Sequence, residues 1–126
     1  MTLKYSFSEL VHMFKGFLPE EITEVTVGRR CIKLYTENNN KTVCIRLGFA
    51  RHIYDPTNNI NEVILTHNMP KSLRDWLEEE FEDNNIKSVR ITNTRIAFDL
   101  ITTIYTIHQI KVKNGYVTVK ANFILV

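Results

Sequence analysis

Histidine and cysteine are the residue types that most often carry catalysis or hold a metal, and this sequence contains few of them. The four histidines and two cysteines are His12, His52, His67, His108, Cys31 and Cys44. No two of them have the spacing of metal ligands on one helix or one hairpin. The four glycines are isolated from one another, so the sequence contains no glycine-rich phosphate loop. It therefore predicts no metal site, no cofactor and no enzymatic activity.

Two of the histidines lie in informative surroundings. His52 is close in sequence to Arg51, Tyr54 and Asp55, a grouping that forms a polar site only if the fold brings these side chains together. His108 falls in an otherwise apolar stretch, which favours a hydrogen-bonded core histidine over a ligand or a catalytic base. Neither pattern establishes an acid–base pair, because that requires a geometry that sequence proximity does not give.

The composition is that of a folded protein. The chain has 126 residues, 44% of them hydrophobic and 24% charged, and we expect one globular domain spanning residues 1–126. Residues 1–10 lack the apolar core of a signal peptide, and no apolar run approaches the roughly 20 residues of a membrane span. We therefore expect reduced cysteines, a cytoplasmic location and no membrane contact. The small size and the many Asn and Ile residues favour a phage or viral origin, which would place the protein in the host cytoplasm or the virion.

Charge is distributed unevenly along the chain. The net charge is +2, but residues 61–85 carry two basic and seven acidic side chains, and residues 86–126 carry six basic and one acidic. Five of the acidic side chains crowd the C-terminal half of a predicted helix, where negative charge opposes the helix dipole. Two interpretations remain open: an ordinary solvated acidic helix, or a surface that contacts a cationic partner.

Hydrophobic periodicity predicts an α+β fold, in which two amphipathic helices pack on a mainly antiparallel sheet of about five or six strands. The first helix begins with a capping pair, Ser6 and Glu9, and ends at Pro19, and the second spans 70–83. Gly28 lies where the apolar phase changes and indicates a bulge or bend. The predicted strands cover residues 24–27, 31–35, 42–47, 62–66, 87–92, 96–113 and 116–126.

The first predicted hairpin, within 31–47, has an apolar side and a basic side. A four-residue turn pairs Leu34 with Val43 and Ile32 with Ile45 on the apolar side. Clustered basic side chains with an aromatic side chain among them are what nucleic acid binding requires. The candidate nucleic-acid or anion-binding residues are Arg29, Arg30, Lys33, Tyr35, Arg46 and Arg51. A second basic set consists of Lys87, Arg90, Arg95, Lys111, Lys113 and Lys120.

A long C-terminal hairpin around an Asn114-Gly115 turn is the clearest local prediction. The two-residue turn sets a register in which Ile110 faces Val119 and His108 faces Ala121. The hairpin is half polar near its turn and apolar on both sides at its base. Such a base is either buried within the protein or covered by a partner, because an exposed one would aggregate. The candidate protein-interface residues are Tyr105, Ile107, Phe123, Ile124, Leu125 and Val126.

These features favour a non-catalytic protein-binding module, either an assembly component or a small regulator. Its partner is expected to be another protein or further copies of itself. The alternative is a nucleic-acid-binding module that uses the basic side of the first hairpin, although no RNP-like or helix-turn-helix signature is present.

Overall fold

The computed structural model describes residues 1–18, 20–38, 40–101 and 105–123. Within these residues the chain forms nine strands and two α-helices, and the strands are arranged in two antiparallel sheets. The fold is therefore a β-rich α+β fold, which agrees with the expected class. The strands are more numerous than predicted, and they are divided between two sheets instead of forming one.

The smaller sheet has three strands in the order β1-β9-β8. These strands are β1 (Thr2–Ser6), β8 (Tyr105–Lys113) and β9 (Tyr116–Phe123). Asn114 and Gly115 join β8 to β9, and their φ angles are 51° and 80°, which is the left-handed backbone that two-residue hairpin turns require. The predicted terminal hairpin is thus confirmed for residues 105–123. Strand β1 was not predicted, because five residues before a helix cap carry too little alternation to stand out.

The larger sheet has six strands in the order β2-β3-β4-β5-β7-β6. They are β2 (Ile22–Val27), β3 (Cys31–Asn38), β4 (Lys41–Asp55), β5 (Ile60–Thr66), β6 (Val89–Ile91) and β7 (Arg95–Ile101). The first half of β4 pairs with β3, and the second half pairs with β5. The prediction of one long strand over 96–113 is wrong, because β7 and β8 belong to different sheets.

The register of the first hairpin differs from the predicted one by two residues. Leu34 pairs with Ile45 instead of Val43, and Asn38 pairs with Lys41, so the turn is shorter than four residues. Asn40 has a φ of 61°, which an asparagine tolerates better than most residues. Because the error is an even number of residues, every side chain remains on the face that was predicted for it.

The terminal hairpin keeps its predicted register only near the turn. Ile110 pairs with Val119 as expected, but a bulge lies between Ile107 and Gln109, so that Ile107 and not His108 pairs with Ala121. One extra residue on one strand shifts every pair that lies farther from the turn. His108 is consequently exposed, and its expected place in the core is wrong.

The two helices are α1 (Phe7–Phe14), followed by a short 3₁₀ turn, and α2 (Lys71–Asp83). The capping pair of α1 forms as predicted: Glu9 N–H donates to Ser6 Oγ at 3.0 Å, and Ser6 N–H donates to Glu9 Oε1 at 3.3 Å. Helix α2 has no buried side chain. The predicted packing of both helices on one sheet is therefore not confirmed.

Few apolar side chains are fully buried in the described part of the chain. They are Phe7, Ile45, Val63, Met69 and Ala121. The accessible surface of the chain is 9044 Å², whereas about 7,000 Å² is typical of a monomer of 14.8 kDa. This fold thus leaves about 2,000 Å² more surface open to solvent than the scaling of monomeric proteins predicts.

Candidate functional site

Side-chain alternation along paired strands gives the larger sheet two different faces. The polar face is defined by Lys33, Tyr35, Cys44 and Arg46, and the apolar face by Ile32, Leu34, Ile45 and Leu47. The predicted separation of a basic side from an apolar side is confirmed for this hairpin. Both cysteines are free thiols, and they are not cross-strand partners, since Cys44 pairs with Tyr35.

A bulge in β4 brings Arg51 onto the polar face. Gly48 pairs with Thr66 and Arg51 pairs with Ile64, and residues two apart on β5 lie on one face. Without the extra residue, Arg51 would lie on the apolar face. Thr66 also pairs with Arg95 of β7, so Arg95 joins the same surface, which the sequence did not reveal.

The polar face holds several cations that form no salt bridge with the described residues. Lys33 and Arg46 are directly opposite each other, an arrangement that is unfavourable unless an anion or water separates the two charges. Neither of them, nor Arg51 or Arg95, forms a salt bridge with any residue that the structure describes. Four of the six predicted nucleic-acid-binding residues therefore share this face: Lys33, Tyr35, Arg46 and Arg51.

The remaining predicted basic residues are dispersed. Arg29 and Arg30 lie in the turn between β2 and β3. This turn is next to the Asn114-Gly115 turn of the terminal hairpin, since a Cβ built on Gly115 would lie 3.9 Å from the Arg29 Cα. The three lysines of the second basic set that lie in the smaller sheet are Lys111, Lys113 and Lys120. The second basic set is thus split between the two sheets.

Arg90 is neutralised by two carboxylates. Its Nη1 and Nη2 donate to the Asp99 carboxylate at 3.0 and 3.1 Å, and Nη2 donates to Glu62 Oε2 at 2.8 Å. These hydrogen bonds from Arg90 hold the pKa of the Asp99 carboxyl below its ordinary value near 3.8. Arg90 therefore contributes little free positive charge to the polar face.

The base of the terminal hairpin presents aromatic side chains to solvent. Tyr105 and Phe123 are cross-strand partners with ring centroids 4.9 Å apart, and they are 36% and 58% exposed. Ile107 is half-buried and pairs with the buried Ala121. The last three predicted interface residues, Ile124, Leu125 and Val126, lie outside the described residues.

An apolar groove lies between α2 and the apolar face of the larger sheet. Its volume is about 560 Å³ and it opens to solvent. Its apolar lining consists of Leu18, Ile22, Leu34, Val43, Ile45, Leu47, Met69, Pro70, Leu73, Trp76, Leu77 and Ile96. Trp76 is 42% exposed. The sequence predicted an amphipathic second helix, but not an open space between that helix and the sheet.

Two glutamates line the groove, and further acidic side chains follow on α2. Glu21 and Glu37 are part of its lining and are exposed. On α2 the exposed carboxylates are Glu78, Glu79, Glu80, Glu82 and Asp83. Across the described ranges, the salt bridge formed by α2 joins Lys71 to Asp75 at 3.6 Å, and the carboxylates at 78–83 have no such partner. Negative charge thus accumulates around an apolar opening.

The His52 grouping serves to hold the two sheets together. His52 Nε2–H donates to Asn61 Oδ1 at 2.7 Å, and Nδ1 accepts the backbone N–H of Ile110 in β8 at 3.3 Å. Both ring nitrogens are thereby occupied, and Asn61 is fully buried. The Asp55 carboxylate caps its own turn, where hydrogen bonds led by the Asn58 side chain hold the pKa of Asp55 below its ordinary value.

His67 and His108 also form hydrogen bonds within the fold. His67 is buried, its Nε2–H donates to the Thr92 carbonyl at 2.8 Å, and its Nδ1 accepts the N–H of Met69 at 3.0 Å. The Asn122 Nδ2–H donates to His108 Nε2 at 2.8 Å. In the residues that the structure describes, no three His, Cys, Asp or Glu side chains lie close enough together to hold a metal ion.

Neither helix in the described ranges is both long enough and apolar enough to cross a membrane. Comparison of the chain with protein-family models, with curated proteins and with solved structures finds no match.

Proposed function

We propose that the chain is a non-catalytic protein-binding module, an assembly component or a small regulator, that acts through its sheets and its C-terminal hairpin. The observation that carries this proposal is the excess of about 2,000 Å² of accessible surface over that of a typical monomer. A standard protein–protein interface buries about 800 Å² on each partner. The excess is therefore large enough for more than one interface of ordinary size.

A second copy of the chain is the proposed partner of the hairpin base. Phe123 is the most exposed large apolar side chain in the described part of the protein. Strand β8 forms one edge of the smaller sheet. His52 accepts the Ile110 N–H farther along this edge, so pairing with another chain is proposed for the part of the edge beside the exposed Tyr105 and Phe123 rings. A two-fold dimer places the same patch on both subunits, so that one apolar surface covers the other.

Light scattering after gel filtration, over a concentration series and at low and high salt, tests this function. We expect a dimer whose population rises with concentration and survives high salt, because apolar contacts are not screened. A monomer under all conditions would contradict self-association through the hairpin.

A nucleic-acid-binding module is the second candidate function, and the cations of the polar face support it. Lys33 and Arg46 lie in register, neither forms a salt bridge within residues 1–18, 20–38, 40–101 and 105–123, and Tyr35 follows Lys33 on the same face. An anionic backbone would separate the two like charges, and the tyrosine ring offers a surface for base stacking. The absorbance ratio of the purified protein at 260 and 280 nm, followed by titration of single-stranded oligonucleotides at several salt concentrations, tests this. Absence of salt-sensitive binding would exclude it.

A further inference from the structure

We infer that the groove between α2 and the larger sheet binds an amphipathic helix from a different protein, one that carries apolar side chains on one face and lysine or arginine beside them. This inference rests on the proposed protein-binding function and adds a second surface and a class of partner to it. Two observations lead to it: the open apolar groove, and the acidic side chains at 78–83 of α2, which form no salt bridge with any described residue.

The groove has the size and the lining of a binding site. Its volume of about 560 Å³ falls within the range of roughly 300–1,000 Å³ that is usual for ligand pockets. Leu34 and Ile45 contribute to its floor, and Leu73, Trp76 and Leu77 line it from the helix. The occupant must therefore be largely apolar where it enters the groove.

The form of the occupant follows from the backbone around the groove. The floor belongs to β3, which pairs with β2 and β4, and to the first half of β4, which pairs with β3 alone. The outer edge of that half is occupied by Asn68, whose Oδ1 accepts the Arg46 N–H at 2.6 Å and whose Nδ2–H donates to the Cys44 carbonyl at 3.3 Å. An extended peptide laid across such a floor would lose water from its own backbone and find no partners for it. A helix satisfies its backbone internally and presents anchors at positions i, i+3, i+4 and i+7, which suits a groove lined by side chains.

The charge of the occupant follows from the acidic residues. Glu79 and Glu80 follow Trp76 by three and four residues, so they continue the groove-lining side of α2 by one turn. Glu21 lines the groove directly before β2 and is exposed. A partner helix with basic residues beside its apolar face meets opposite charge from both α2 and this glutamate. An acidic partner helix would be repelled.

The protein contains its own reporter for the test. Trp76 is the only tryptophan in the chain, it lines the groove, and it is 42% exposed. Covering its ring with an apolar side chain shifts its emission to shorter wavelength. Two peptides of about 18 residues, or five helical turns, serve as probes. Both carry leucine at i, i+3, i+4 and i+7 and no aromatic residue, and one has lysine where the other has glutamate.

The expected result is a saturable blue shift of Trp76 emission with the lysine peptide. At low salt the glutamate peptide should bind at least about tenfold more weakly, since several exposed charge pairs act together. The double substitution Glu79→Lys and Glu80→Lys should remove this preference or reverse it. The matched control, Glu78→Lys with Glu82→Lys, makes the same change of charge on the side of α2 that faces away from the groove and should retain most of the preference.

Three results would overturn the inference. The first is no change in Trp76 emission with either peptide at concentrations up to about 1 mM, which would mean a dissociation constant weaker than about 1 mM. The second is equal binding of both peptides. The third is an emission maximum that shifts with the concentration of the protein alone, which would place a second copy over the groove. The mass of the free protein, measured in the same samples, separates this test from that of the hairpin. A dimer that binds neither peptide would contradict only the proposed helix-binding groove. A monomer that binds the lysine peptide would contradict only self-association through the hairpin.

Discussion

Replacement of Phe123 by alanine is the most direct test of the proposed hairpin interface. Phe123 is 58% exposed in the single chain, and a large aromatic side chain buries about 150–250 Å² when it is fully covered. The exposed part is therefore about 115 Å². Removing all of it from water would contribute about 3 kcal/mol at roughly 25 cal/mol per Å².

The effect on the dimer is larger than the effect on one subunit, because a two-fold interface contains the substitution twice. With about half of the exposed ring area covered by the partner, Phe123→Ala costs about 1.5 kcal/mol per copy. Two copies give about 3 kcal/mol, or roughly a 100-fold increase in the dissociation constant of the dimer. Sedimentation velocity or light scattering over a concentration series measures this change.

Tyr116→Ala is the matched control. Tyr116 lies on the same strand and is 44% exposed, but it is next to the turn instead of the base. Its ring lies 4.6 Å from the ammonium of Lys4, a contact worth about 0.5–1 kcal/mol at an exposed site. We therefore expect a small loss of stability in urea unfolding and an unchanged dimer. A Phe123→Ala protein that dimerises as tightly as the parent, or a Tyr116→Ala protein that is weakened equally, would refute the hairpin interface.

Three further predictions follow from the structure. Arg46→Glu should weaken the binding of a single-stranded oligonucleotide and lower the slope of log affinity against log salt by about one, since one phosphate contact is lost; an unchanged slope would place nucleic acid elsewhere. Asp99→Asn should reduce the free energy of unfolding at pH 7 by no more than about 1 kcal/mol, because the ion pair with Arg90 is partly exposed. The lowered pKa of Asp99 means that this stabilisation is present above the ordinary pKa near 3.8 and is lost as the pH falls through the folded-state pKa. Urea unfolding at pH 7 and at about pH 2–3 should therefore show a difference between parent and variant only at the higher pH, and a constant difference would contradict this account. Gly115→Ala should destabilise the protein by about 1 kcal/mol or more, because the φ of Gly115 is +80°, whereas Gly16→Ala, where an added Cβ meets nothing within 4 Å, should be neutral in thermal unfolding.

Local features of this fold could be predicted from the sequence. The capping pair of Ser6 and Glu9 and the Asn114-Gly115 turn depend on residues no more than three positions apart, and both form as expected. The two faces of the first hairpin were also predictable, since they depend on alternation and not on the pairing of particular residues. An error of two residues in the register left them unchanged.

Features that depend on distant residues could not be predicted. The bulge in β8 shifts the pairing of residues 105–107, and the bulge in β4 moves Arg51 to the other face. Nothing in the composition of these strands marks the extra residue. The pairing of β5 with β7, which brings Arg95 to the polar face, joins segments about thirty residues apart. The groove depends on the distance between α2 and the sheet, which an apolar stripe does not specify.

The pairing of β1 with β9 has a consequence for how the protein acquires its structure. Each of the five strand pairs in the larger sheet joins segments within residues 22–101, so this sheet can form while later residues are still being synthesised. The smaller sheet cannot, because Leu3 must meet Val119 across more than a hundred residues. Closing so long a loop delays folding more than it lowers final stability. The smaller sheet is therefore expected to be completed last. Before β1 pairs with β9, the edge of β9 opposite β8 is open beside the Phe123 ring. At that stage a newly made chain would be most prone to pair with a neighbouring chain.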